Sequence, residues 1–146
     1  MSIRVGVFGA AGRMGRAICA AVNGDPELEL VAAVDPYAAG EVVEGVTISN
    51  EAHAFADAGV QVAIDFTVID AAKINAAWCA THATHAVIGT SGFGDNDIDD
   101  LRHPFTGEGA PNCVLAPNFA IGAVLMSQLA AKAAPFFATV QIIAMH

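Results

Sequence analysis

Positive charge is scarce in this sequence. Arg4, Arg13, Arg16, Lys73, Arg102 and Lys132 are its whole basic complement, set against 15 acidic residues for a formal net charge of −9. A nucleic-acid surface needs clustered cations, so that class of partner is excluded. Cysteine is equally sparse: Cys19, Cys79 and Cys113 lie far apart in no CxxC pair, which argues against a redox couple or a thiolate metal site and leaves them as reduced core thiols. No hydrophobic stretch reaches membrane length, and Met1-Ser2 leads straight into a strand-like run without a charged leader or apolar h-region. No membrane partner is therefore expected, and a cytoplasmic location is. Repeats, low-complexity runs and linkers are absent too, so residues 1–146 are expected to form one domain.

What is present is apolar. A hydrophobic fraction of 55% with 14% charged residues supplies a substantial core, and the abundance of Ala suits closely packed helices over a sheet better than a β-sandwich. The stretch from Ile3 to Arg16 organises the rest. An apolar strand runs into Gly9, Gly12 and Gly15 and then into helix-forming residues. A strand entering a glycine turn that opens a helix leaves free N–H groups and the positive end of the helix dipole at one spot, with no Cβ in the way of a phosphate. The spacing is Gly-x-x-Gly-x-x-Gly rather than the usual Gly-x-Gly-x-x-Gly, so context has to decide. Arg13 and Arg16 stand in the first turns of that helix, where a cation opposes the dipole at a cost of about 0.3–1 kcal/mol; a bound anion would reverse the misfit, while solvated arginines are the plainer alternative. Asp35 closes the next apolar run, Leu28 to Val34. It is suited to accept the adenosine ribose hydroxyls, or else is simply a turn residue before Pro36.

Along the chain, the first helix is expected over Met14 to Asn23, a turn at Gly24-Asp25-Pro26, and a second strand over Leu28 to Asp35. A short strand at Val46-Thr47-Ile48 follows, then a short helix capped by Ser49-Asn50 and ending at Asp57. Val60 to Thr67 reads as a strong strand, and Asp70 to His82 as a helix with Ile74 and Trp78 one turn apart. His85 to Ile88 is a buried strand ending in Gly89-Thr90-Ser91-Gly92-Phe93-Gly94. Asp95 to His103 is an acidic-started helix, Cys113 to Ala116 a strand ending in Pro117-Asn118-Phe119, Ile121 to Ala134 a helix, and Thr139 to Met145 a further strand. Continuous apolar strands alternating with helices mean α/β: a Rossmann-like, doubly wound parallel sheet with ligands outside the carboxyl ends of its strands. Those ends carry Gly9 to Met14, Asp35, Phe66-Thr67, Gly89 to Ser91 and Ala116 to Phe119. With pyrophosphate on the turn and adenosine ribose on Asp35, the later strand ends are left for a nicotinamide half. There Asn118 suits a carboxamide and Thr90 a ribose or ring edge.

No metal site is expected. Asp95 to Asp100 lacks the Gly and the Glu of a calcium loop, since Asp100 and Thr106 stand at those places, and His82 and His85 span a helix end and the next strand, where helix-terminal histidines explain them better than a zinc set. Tyr37 is the only tyrosine and no lysine follows it closely; Cys113 sits in an apolar strand where a thiol stays neutral. Any chemistry belongs to a bound cofactor.

In this order, Gly9-Ala-Ala-Gly-Arg-Met-Gly15, Ile64-Asp-Phe-Thr67, Val87-Ile-Gly-Thr-Ser-Gly-Phe93 and Ala116-Pro-Asn-Phe-Ala-Ile-Gly122 closely resemble dihydrodipicolinate reductase (4-hydroxy-tetrahydrodipicolinate reductase). The resemblance implies reduction by NADH or NADPH in the diaminopimelate route to lysine, in a cytoplasmic homotetramer. It implies that Gly9, Ala10, Ala11, Gly12, Arg13, Met14, Asp35, Phe66, Thr67, Gly89, Thr90, Ser91, Ala116, Pro117, Asn118 and Phe119 bind the dinucleotide. Use of either cofactor with a lean to NADH follows from the Asp35 charge and the lack of an arginine after it. His146 aligns with the family's catalytic proton donor, while Ala144 replaces a Glu and Ser91 a Thr. The family continues past that histidine into a substrate and tetramerisation domain, so this chain is expected to supply the cofactor half of a small-dicarboxylate reductase and to be inactive alone. The alternative is a stand-alone dinucleotide-binding module.

Overall fold

A computed structural model describes residues 1–116, 119–141 and 143. In chain order its elements are β1 (Ile3–Phe8), α1 (Arg13–Asn23), β2 (Leu28–Val34), β3 (Val42–Val43), β4 (Val46–Ser49), α2 (His53–Asp57), β5 (Val62–Asp65), α3 (Ile69–Thr81), β6 (His85–Ile88), α4 (Asp95–Arg102), β7 (Cys113–Leu115) and α5 (Ile121–Ala133). Single 3-10 turns follow α4 at His103–Phe105 and α5 at Ala134–Phe136. The strands form one sheet in the order β3-β4-β2-β1-β5-β6-β7, parallel except for β3, which pairs antiparallel with β4. This is a Rossmann-like α/β architecture. The chain winds outward from β1 through β2 to β4, then returns to the other side of β1 and winds outward through β5, β6 and β7. The reversal falls between β1 and β5, which is where such sheets open a crevice beyond their carboxyl ends.

Period-two alternation along the strands feeds a core on each face. Val5, Val7, Leu30, Ala33 and Ile48 pack with Cys19 and Val22 of α1 on one side. Phe8, Ala32, Val34, Ala63, Ala86 and Ile88 pack with Phe55 of α2 and Ala72, Ala76 and Cys79 of α3 on the other. Phe55 is fully buried, 4.3 Å from the Phe8 ring, and seats against Gly6, where a Cβ would lie 2.8 Å from the ring.

Several expectations are corrected. Ile74 is exposed, and the buried stripe of α3 is Ala72, Ala76 and Cys79, because small side chains let the helix approach the sheet while Trp78 reaches sideways to Phe55. Ser49 caps a turn rather than a helix: its hydroxyl accepts from the Glu51 N–H at 3.1 Å, and α2 begins only after Ala52, with no side-chain cap. No residue of α5 is buried; its apolar Ile121, Val124, Leu125 and Leu129 face solvent. Of the expected strand over Thr139 to Met145, residues 139–141 and 143 have no regular structure and the others lie outside the described residues.

Candidate functional site

The glycine turn leaves β1 with Gly9 at φ +68, a conformation that favours glycine. A Cβ there would also lie 2.9 Å from the Thr67 methyl, so the turn rests against the end of β5. Gly9 and Ala10 N–H both donate to Val34 O, at 2.8 and 3.2 Å, and Gly12 N–H donates to Gly9 O at 3.0 Å. Gly15 is closed by packing, since its Cβ would stand 2.0 Å from Gly9 O; Gly12 is far less crowded, its Cβ meeting only Gly9 O, though tightly, at 3.2 Å. Gly12 is the N-cap of α1, and the N–H groups of Arg13 and Met14 that follow find no acceptor among the described residues. Exposed donors at a dipole's positive end, with no side chain over them, fit an anionic group of phosphate size.

Asp35 sits beside this turn, nearly buried. Its Oδ2 accepts from Ala11 N–H and its Oδ1 from Tyr37 N–H, both at 3.1 Å, so one carboxylate ties the turn to the end of β2. Each oxygen keeps a further lone pair for a hydroxyl donor. The turn-residue alternative is thus realised, through Tyr37 N–H. Arg16 departs from the expected free cation: its Nε donates to Ala11 O at 3.0 Å and its Nη2 pairs with Glu41 at 2.8 Å. Arg13 is exposed and unpaired among the described residues.

Across the crevice, Thr90 Oγ1 donates to Thr67 O at 2.8 Å, and the Phe66 ring covers Gly89 so closely that a Cβ would lie 2.2 Å from it. Phe66 also meets the exposed Phe119 ring at 5.5 Å, and Ala116 N–H donates to Ile88 O at 2.9 Å. Phe66, Thr67, Gly89, Thr90, Ala116 and Phe119 are thereby gathered on one edge. Ser91 is exposed beside them on a cavity of about 660 Å³. Pro117, Asn118 and His146 lie outside the described residues.

Two features escaped the sequence reading. Asp65, only 3% exposed, accepts from Thr67 N–H at 2.7 Å, Thr67 Oγ1 at 2.6 Å and Asn75 Nδ2 at 2.8 Å, fixing the strand end on which Thr90 leans. An acidic residue closing an apolar strand was the available signal, the same one that marked Asp35. The ion pair of Lys73 with Asp97 joins α3 to α4 and had no local signature. The thiols are all pushed up by burial, Cys79 to about 12 and Cys19 and Cys113 to about 11.

A family model described as dihydrodipicolinate reductase, N-terminus, matches residues 3–119. The 4-hydroxy-tetrahydrodipicolinate reductase of Nocardia farcinica is 42% identical over 146 residues, covering 100% of this chain and 54% of that protein. That of Thermobifida fusca is 41% identical over 144 residues, covering 99% and 53%. The solved structure of dipicolinate-bound dihydrodipicolinate reductase from Paenisporosarcina sp. TG-14 superposes with a TM-score of 0.73 at 28% identity, over 94% of this chain and 55% of that one. A myo-inositol 2-dehydrogenase from Lactobacillus plantarum, TM-score 0.65 at 14% identity, shares the fold alone, over 92% of this chain and 42% of its own. The chain spans about half the length of the curated relatives it matches. By the extent of the family match, this chain belongs to the dihydrodipicolinate reductase family and corresponds to its N-terminal part.

Proposed function

We propose that residues 1–146 are the dinucleotide-binding domain of a 4-hydroxy-tetrahydrodipicolinate reductase, holding NADH or NADPH with a lean to NADH. The observation that carries this reading is the Gly12 turn: uncovered by side chains, lined by unpartnered N–H groups, and tied by Asp35 at the sheet's reversal point. The Arg13 and Met14 N–H groups receive the pyrophosphate, and Asp35 accepts the adenosine ribose hydroxyls. The edge formed by Phe66, Thr67, Gly89, Thr90, Ser91, Ala116 and Phe119 receives the nicotinamide half, where Phe66 and Phe119 shed water from one ring face; Pro117 and Asn118 are assigned to it by family resemblance alone. A reduced nicotinamide bound there supplies the hydride.

The proton and the grip on a small dicarboxylate are a separate matter. His146 is the proton donor by family resemblance, and no lysine or arginine follows Lys132 to hold carboxylates. Positioning of that kind is worth about 7–11 kcal/mol at its best, so the 146-residue chain is expected to bind cofactor without turning substrate over. The homotetramer and cytoplasmic location of the family are proposed for the whole reductase; among the described residues no helix is long and apolar enough to cross a membrane. Titration of nicotinamide fluorescence with the purified chain tests the binding, and absence of saturable binding would refute it. A coupled assay with freshly made substrate tests the second point, and turnover above background that is lost in His146→Ala would overturn it.

A further inference from the structure

The segment from Gly89 to Gly94 carries Thr90 and Ser91 and has no regular structure. At its start Gly89 N–H donates to Asp65 O and Thr90 Oγ1 to Thr67 O, each at 2.8 Å. At its end Gly94 N–H donates to Asp97 Oδ2 at 3.0 Å. Between these anchors, Ser91, Gly92 and Phe93 make no hydrogen bond among the described residues. Gly92, at φ +95, crosses the start of α3 so closely that a Cβ would lie 3.0 Å from the Ile69 side chain. The other oxygen of Asp97 receives the Lys73 ammonium from α3. One carboxylate therefore fastens the end of the segment and, through Lys73, ties it to the helix on the far side of the cavity.

The electrostatics around this pair are one-sided. Lys73 is surrounded by Asp70 on its own helix and Asp97 and Asp100 on α4, and it is the cation that separates them. Without it, like charges face each other across the cavity mouth. At 39% and 30% side-chain exposure the pair is too wet to decide the fold. With few hydrogen bonds and only Phe93 packed against the core, the segment has low local stability, so a weak tether shifts its held population even where the whole domain is indifferent, and apparent affinity falls with that population.

We infer that Lys73 is a positioning residue: its ion pair with Asp97 holds segment 89–94 in the arrangement that receives the nicotinamide half, and it has no part in holding the adenosine half. This rests on the dinucleotide reading above and adds a residue outside the glycine turn to it.

The test compares wild type with Lys73→Met, Lys73→Arg, Asp97→Ala and the Lys73→Met/Asp97→Ala double variant of the 146-residue chain. NADH is titrated by fluorescence, ADP-ribose by calorimetry, and amide hydrogen exchange of residues 89–94 is followed without ligand. Lys73→Met and Asp97→Ala should each weaken NADH about three- to fivefold. ADP-ribose affinity should stay within about twofold, Lys73→Arg should restore NADH binding, and the double variant should be no worse than the worse single one. Within 89–94 the amide that reports the tether is Gly94 N–H, bonded to Asp97, and its exchange should quicken in Lys73→Met with the melting temperature nearly unchanged. Equal weakening of NADH and ADP-ribose, or a loss in Lys73→Met that Asp97→Ala does not share, overturns the inference; the latter would mean that Lys73 touches the ligand directly. Unchanged exchange of Gly94 N–H in Lys73→Met overturns it independently of any ligand. If wild type binds neither NADH nor ADP-ribose, the dinucleotide reading falls and this inference with it.

Discussion

Gly12 and Gly15 stand three residues apart in one motif, yet the structure assigns them opposite consequences on substitution. At Gly12 the backbone is extended, φ −66 and ψ 165, which any residue adopts, and a Cβ meets only Gly9 O at 3.2 Å. Gly12→Val loses a favourable N-cap, a cost of up to about 1 kcal/mol, and regains about 0.4–1 kcal/mol by restricting the unfolded chain. The tight contact with Gly9 O adds a cost, for a net loss of about 1 kcal/mol and a fall in Tm of about 2–4 °C. Its branched side chain, however, projects over the Arg13 and Met14 N–H groups, so NADH affinity should fall at least about a hundredfold, or 2.7 kcal/mol. Gly15→Ala is the converse. Its Cβ would lie 2.0 Å from Gly9 O and 2.8 Å from Ala10 Cα, both backbone, so α1 must shift off the turn. Overpacking of that kind costs about 3 kcal/mol or more; the helix propensity of Ala returns about 1 kcal/mol, and the Tm should fall by about 5–10 °C. Thermal melts by circular dichroism and NADH titrations on both variants separate fold from site. A Gly12→Val chain that binds NADH as wild type does refutes the turn as the pyrophosphate seat. A Gly15→Ala chain as stable as wild type refutes the packing argument.

Asp35→Ser should weaken both cofactors, because the Ala11 and Tyr37 N–H groups lose their shared acceptor, yet raise NADPH relative to NADH; a wild type preferring NADPH more than tenfold, about 1.4 kcal/mol, would contradict the role given to Asp35. Asp65→Asn keeps one acceptor oxygen and puts an amide donor at the other position, against either the two Thr67 donors or the Asn75 amide, and should cost about 1–3 kcal/mol in urea unfolding, while a neutral result would show that the Thr67 end of β5 is held by packing alone. The buried thiols, raised to about 11 and 12, stay protonated in the fold while those of the unfolded chain ionise near pH 8.5–9, so the folded state binds more protons above that point. Stability should therefore be flat in this respect at neutral pH and decline from about pH 9 upward, less steeply in Cys79→Ala; an identical alkaline slope in that variant would refute the assignment.

Long apolar strands and their carboxyl ends were legible because burial on both faces writes itself as continuous Val, Ile and Ala runs. The helix starting just after Gly12, β2 over Leu28 to Val34 and β6 over His85 to Ile88 lie where the pattern places them. Strand β3 escaped because two residues carry no period. Ile74 and Trp78 stand one turn apart on α3 as expected, but helical spacing does not say which stripe is buried, and against a flat sheet the small side chains Ala72 and Ala76 approach closer than a branched one. The apolar positions of α5 obeyed helical spacing and still face solvent, so periodicity specified the helix and left its partner undefined. Beside the glycine turn, the position of Asp35 at a strand end was readable. The bonds of Asp65 to Asn75 and of Lys73 to Asp97 join residues 10 and 24 positions apart across a fold that local sequence does not display.

An acidic chain that holds an anion has to produce its positive potential locally, and here the side chains do little of it. Arg4 pairs with Glu29, Arg16 with Glu41, Lys73 with Asp97 and Arg102 with Asp99, which leaves Arg13 as the unpaired cation beside the turn among the described residues. Arg16 braces the turn instead: by holding the Ala11 carbonyl it fixes the peptide that precedes Gly12, whose own N–H is turned inward to Gly9 O. The next donors, on Arg13 and Met14, are then the ones left facing outward. The potential at the site thus comes chiefly from oriented backbone dipoles, which carry no charge to be neutralised by the surrounding carboxylates. That arrangement reconciles a net charge of −9 with the proposed anion site, and it explains why the glycines, rather than the arginines around them, are the residues whose replacement should matter most.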